Sequence, residues 1–130
     1  VTLNFVTPTR IIEKNKTTSQ LTFDLLVRNL LRRSSLLARL HCGNEWDIDY
    51  GAIIELARNN VEIVRNELVW YDWERYSNRQ HRRTPMGGFV GRINYEGDLE
   101  PFLPLIQLGQ YIHIGKHTSF GMGKYAVQRF

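Results

Sequence analysis

The chain has 130 residues, 42% hydrophobic and 23% charged, with a net charge of +4. That length suits one domain with a core of its own, and the composition argues against disorder. No apolar run approaches the ~18–20 residues of a membrane span, no export signal opens the chain, and Cys42, its one cysteine, has no internal disulfide partner. A reducing cytoplasm is the expected setting, with Cys42 a buried, inert thiol.

Charge is unevenly spread. Residues 1–42 carry seven Lys/Arg against two acids, residues 43–74 two against eight, and residues 75–130 eight against three. Between Arg75 and Tyr95 there are five Arg and no acid, and from Pro101 onward no acid at all. Such segregation favours a polyanion on one face, although the blocks can also neutralise each other within the fold.

In chain order, residues 2–7 read as a strand that Pro8 turns into an edge or an exit. Because Val1 opens straight into that strand without an initiator Met, a processed or excised domain is expected. Residues 13–20 read as a polar loop. Leu21 to His41 carries the strongest helical pattern, with Phe23, Leu26, Leu30, Leu37 and Leu40 near a 3.6 period. Arg28, Arg32, Ser35 and Arg39 fall on the opposite face, and Gly43 supplies the stop. A second helix fits residues 49–60, after which Val61 and Val64 suit either a longer helix or a strand.

Residues 67–76 are branched and aromatic enough for a strand. A basic segment, 77–86, leads into another strand at 87–95, which Glu96, Gly97 and Asp98 turn. Pro101 and Pro104 suit the first turn of a short helix spanning 100–109 and ended by Gly109, and the last strand falls at 122–128. The order β-α(α)-β-β-α-β predicts an α+β, ferredoxin-like (RRM-like) domain: a four-stranded antiparallel sheet with helices 21–41 and 100–109 on one face.

Two segments carry the candidate chemistry. Residues 115–125, GKHTSFGMGKY, contain three glycines, two lysines and two aliphatic hydroxyls. Glycines let a backbone approach phosphate oxygens and turn successive N–H groups toward them. The spacing is not that of a nucleotide P-loop, and a tight packing turn explains the glycines equally well. The second segment is Arg75 to Arg83, RYSNRQHRR, whose guanidiniums suit phosphates and whose Asn, Gln and His suit base edges or sugar hydroxyls. A solvated basic loop looks similar. The strand beginning at Gly87 resembles the base-stacking strand of RNA-recognition domains only through Phe89. Trp46, Trp70 and Trp73 read as core or interface anchors. His113 and His117 lie four apart, but Gly115 between them argues against a helix presenting both to a metal. His41 fits a helix C-terminus, whereas His81 and His117 sit beside basic groups and suit either phosphate binding or acid–base work.

Several separated segments carry a family resemblance: Thr7 to Arg10 (TPTR), Trp73 to Ser77 with Arg79 and Gln80, Gly87 to Gly91 (GGFVG), His113 to Lys116 (HIGK), and Phe120 to Lys124 (FGMGK). In this order they resemble the CRISPR-associated RAMP superfamily, specifically the C-terminal half of the endoribonuclease that cuts CRISPR precursor RNA. The resemblance implies tandem ferredoxin-like domains in a longer parent, repeat RNA as substrate, and cleavage without metal or cofactor, by ribose 2′-hydroxyl attack on the adjacent phosphate. It implies RNA contacts at Arg75, Arg79, Arg82 and Arg83, and at Gly115, Lys116, Gly121, Gly123 and Lys124; His117, within the same loop, joins these candidate contacts through its own chemistry. Members of the family usually place the catalytic histidine, or its substitute, in an N-terminal domain, so no catalytic residue is assigned to this chain. The implied partners are that N-terminal domain, CRISPR repeat RNA and other CRISPR-associated proteins. Two rival readings are a structural subunit docking through block 43–74, and a complete small nuclease using His81 or His117.

Overall fold

The computed structural model describes the chain except Asn15, Ser19, residues 39–48, Trp73, residues 78–81, Met86, His117, residues 119–120 and Phe130. For Lys16, residues 74–77, residues 82–85 and Arg129 it gives backbone alone. The elements in order are β1 (Thr2–Thr9), β2 (Ile11–Glu13), β3 (Lys16–Thr18), α1 (Phe23–Leu37), α2 (Tyr50–Asn60), β4 (Val61–Asn66), β5 (Val69–Tyr71), β6 (Glu74–Ser77), β7 (Arg82–Pro85), β8 (Gly88–Gly97), a 3-10 turn (Glu100–Phe102), α3 (Leu103–Ile112) and β9 (Tyr125–Arg129).

The main sheet runs β4-β8-β1-β9, every pairing antiparallel, and β5 continues beyond β4 along the same strand, β8. With β1, β4, β8 and β9 as its four long strands, this is the ferredoxin-like α+β plan expected from the element order. Side chains alternate along β1, so Leu3 and Phe5 are buried while Thr2 and Asn4 lie on the other face. Phe89, Ile93 and Tyr95 of β8 and Tyr125 of β9 join the buried side, where Phe23, Leu26 and Leu30 of α1 and Ile106 of α3 complete the core.

Four aromatic pairs set the interior. Phe5 meets Phe89 edge-on at 5.1 Å and Tyr125 at 5.4 Å; Phe23 meets Tyr95 at 5.1 Å and Phe102 at 5.2 Å. Each buried phenol then ties the helical side to the sheet: Tyr95 donates to the Leu21 carbonyl at 2.5 Å and Tyr125 to the Ile106 carbonyl at 2.6 Å. Burial raises the pKa of both phenols well above the ordinary tyrosine value, and for Tyr95 the nearby Tyr125 and Asp24 add to the shift.

Several local expectations need correction. The polar stretch 13–20 is not all loop, because Ile11–Glu13 and Lys16–Thr18 pair as a hairpin around Lys14, whose φ of 50° makes the turn. The strand expected over 67–76 is two. β5 stays on the main sheet, while β6 forms a separate ladder with β7, which lies inside the expected basic segment. Val61 starts a strand, with the Asp49 carboxylate capping the helix before it through the Ala52 amide at 3.1 Å. Gly109 does not end α3; it lies inside the helix, where an added Cβ would overlap the Tyr125 hydroxyl. The last strand begins at Tyr125, because residues 121–123 are a turn. Finally, Phe89 is fully buried against Phe5, so the one aromatic resembling a base-stacking strand faces the core. The end of the long helix beyond Ala38, Cys42, Trp46 and Trp73 lie outside the described residues.

Candidate nucleic-acid interface

The junction between α3 and β9 is built on the far end of β1. Pro8 has no N–H to offer a ladder, and near it β1 leaves its register with β8 between Phe5 and Thr9. The freed groups turn to the glycine-rich segment. The Gly123 amide donates to the Pro8 carbonyl at 3.1 Å, the Lys124 amide to the Thr7 hydroxyl at 3.0 Å, and the Lys116 amide to the Arg10 carbonyl at 2.9 Å. Inside the segment, the Ile114 amide donates to the Gly123 carbonyl and the Gly121 amide to the Thr118 carbonyl, both at 3.0 Å. Ile114 and Met122 are buried and pin the turn from below.

The three glycines differ in purpose. All have positive φ, between 82° and 84°. A Cβ on Gly115 would lie 2.5 Å from the Arg10 carbonyl oxygen, and one on Gly123 would overlap the Ile114 carbonyl. Both positions are therefore required by packing. Gly121 is exposed, with nothing within 4 Å of an added Cβ, so only its backbone angle calls for glycine.

The amides of Ile114, Lys116, Gly121, Gly123 and Lys124 all have partners within the protein. The expected row of free N–H groups is thus largely occupied, and attraction for an anion falls to side chains. Lys116 and Lys124 are exposed at the junction. Arg10, partly buried, supplies the carbonyl that anchors Lys116, and Arg33 reaches across from α1 to donate to the Ile112 carbonyl at 3.2 Å. Among the described residues no carboxylate forms an ion pair with any of these four cations. Arg10 was part of the family resemblance but not a candidate contact, and Arg33 was missed altogether. Its place beside the exposed Arg32 on α1 gave no signal that it turns toward α3.

The second candidate segment is a two-stranded ribbon. Its register places Arg75 opposite Thr84, Tyr76 opposite Arg83, and Ser77 opposite Arg82. Arg79, His81 and His117 lie outside the described residues, as does His41. Trp70 is exposed in β5, its indole N–H donating to Asp72. Among the described residues no cluster of His, Cys, Asp or Glu could hold a metal, and no helix is long and apolar enough to cross a membrane.

Fold and junction together define a ferredoxin-like α+β domain with a basic, glycine-shaped turn between its last helix and last strand. The family model for the CRISPR-associated endoribonuclease Cas6 matches residues 3–125, and the chain belongs to that family. Solved structures agree in fold. A Cas6 (TTHB231) product complex is 19% identical with a TM-score of 0.70, covering 96% of this chain and 49% of its own. A Cas6 (TTHA0078) substrate mimic complex is 25% identical with a TM-score of 0.60, covering 98% and 52%. A partial Cas6-RT-Cas1–Cas2 complex is 19% identical with a TM-score of 0.69, covering 98% and 22%. This chain thus spans about half the length of the Cas6 structures it matches. A search of curated protein sequences gave no match.

Proposed function

We propose that this chain is the RNA-gripping half of a CRISPR precursor-RNA-processing endoribonuclease, the C-terminal half of a longer protein that works in the cytoplasm. It holds repeat RNA at the glycine-rich junction and along the β6–β7 ribbon, while the acid–base group that promotes 2′-hydroxyl attack lies in the partner domain. The observation that carries this reading is the convergence of Arg10, Arg33, Lys116 and Lys124, unpaired with carboxylates among the described residues, on one hydrogen-bonded junction. Family membership supports it, as do the related Cas6 product and substrate mimic complexes.

The direct test is binding of a CRISPR repeat RNA across a salt series, for the wild type and an Arg10, Lys116, Lys124 triple Gln variant. Each lost phosphate contact should flatten the log–log salt slope by about 0.7 for a single strand. A folded triple variant with the wild-type slope and affinity would sink the reading.

A second reading, docking on other CRISPR-associated proteins, is supported by β5, where Val69 is 64% and Tyr71 55% exposed within the acidic block. The Cas6-RT-Cas1–Cas2 relative supports it too. Co-purification with CRISPR proteins, lost on changing Val69 and Tyr71 to Ser while RNA binding persists, would favour it.

A further inference from the structure

We infer that Nε2 of His113 is a specificity contact accepting a hydrogen bond from a ribose 2′-hydroxyl, so that the junction distinguishes RNA from DNA. The inference rests on RNA binding at this junction, as proposed above. His113 has φ 63° and ψ 164°, a region that is essentially glycine territory and strained for any other residue. Of the six other positive-φ positions among the described residues, five are glycine, and the sixth is Lys14 in the β2–β3 turn. A histidine kept here, at the end of α3, calls for a reason.

Three hydrogen bonds hold it in place. Its own amide donates to the Gly109 carbonyl at 3.1 Å, the next amide, Ile114, donates to Gly123, and Nδ1 lies 3.1 Å from the Met122 carbonyl oxygen. A carbonyl can only accept, so this contact assigns the proton to Nδ1. In the neutral ring Nε2 is then a bare acceptor with a fixed direction. It hydrogen-bonds to no described residue. The one buried polar side-chain atom without a partner among those residues is Asn94 Oδ1, so those residues do not fully enclose Nε2 of the half-buried His113.

The ligand follows from what surrounds this acceptor. Arg33 binds the carbonyl of the preceding residue, Lys116 is three residues on, and Lys124 follows the turn that Met122 closes. A strand whose phosphates rest on these cations brings its sugars to the same place. Only in RNA does the sugar carry an O–H donor at the 2′ position. Phosphate oxygens cannot donate to Nε2.

The test compares a CRISPR repeat RNA with its all-deoxy, uracil-containing counterpart, which differs only in the 2′-hydroxyls. His113→Asn keeps a donor for the Met122 carbonyl but has no second ring nitrogen. His113→Gly places the residue best suited to this backbone. Both should weaken RNA binding by up to about tenfold and leave the deoxy strand unchanged. The melting temperature of the Gly variant should hold, because relieved strain offsets the lost hydrogen bond. Equal losses on both strands, or none, in folded variants would overturn the inference while leaving RNA binding intact. Equal affinity of the unmodified chain for the two strands would overturn it without any variant. Failure of the unmodified chain to bind either strand would remove the RNA-grip reading itself, and this inference with it.

Discussion

The Gly123 amide donates to the Pro8 carbonyl at 3.1 Å, joining the two ends of the chain at the candidate interface. Pro8 offers no amide of its own, and Gly123 is the residue whose missing Cβ leaves room for the Ile114 carbonyl. Gly123→Ala should therefore destabilise the domain by more than ~3 kcal/mol, since two stretches of backbone must separate. Gly121→Ala should cost only about 1–2 kcal/mol, the penalty of positive φ alone. Urea unfolding of the two variants measures the difference, and equal losses would show the turn to be looser than described.

Gly109 supplies a paired test inside α3. Alanine is favoured over glycine in a helix interior by about 1 kcal/mol. Here its Cβ would overlap the Tyr125 hydroxyl and crowd Leu30, so Gly109→Ala should destabilise by ~2 kcal/mol or more. Tyr125→Phe alone should cost about 1 kcal/mol through its hydrogen bond to Ile106. Combined, the two changes should cost less than their sum, because removing the hydroxyl makes room for the methyl group. Strict additivity in a double-mutant cycle would contradict that contact.

The buried phenols set an alkaline limit. Tyr95 and Tyr125 have folded pKa values raised above the unfolded value of about 10. Below pH 10 both states keep the proton and the full stability is present. Above it the unfolded chain loses protons that the folded chain retains, so stability falls as pH rises. Absorbance titration of the six tyrosines should show two that ionise only with unfolding. Replacing both with Phe should flatten the stability profile above pH 10.

The basic ribbon can be separated from the junction. Changing Arg75, Arg79, Arg82 and Arg83 together to Gln should leave the melting temperature within a few degrees, because β6 and β7 pair with no strand of the main sheet. Repeat-RNA binding should lose about 0.7 of salt slope for each phosphate contact removed. Normal affinity in the folded quadruple variant would remove the ribbon from the interface.

Cleavage is the last expectation. The isolated chain should bind repeat RNA without cutting it, with or without magnesium. A cyclic 2′,3′-phosphate product from pure chain, abolished by changing His81 or His117, would instead establish a complete nuclease.

The order of strands and helices was legible in the sequence because alternation and the 3.6 period are local properties. The Leu21–His41 stripe and the apolar alternation of β1 needed no partner to be recognised. Charge segregation and the glycine-rich segment likewise located the candidate interface. Tertiary structure decided what local pattern could not. Gly109 reads as a helix stop until Tyr125 is seen packed against it, and Phe89 reads as a stacking aromatic until Phe5 covers it. Arg33 looks like one more solvent-facing cation until α1 is laid beside the end of α3. The glycines of residues 115–125 separate into two packing positions and one exposed turn only once Arg10 and Ile114 supply the carbonyls that a Cβ would strike. A residue's spacing records the face it occupies on its own element, whereas its role depends on atoms supplied by distant residues, which local periodicity does not encode.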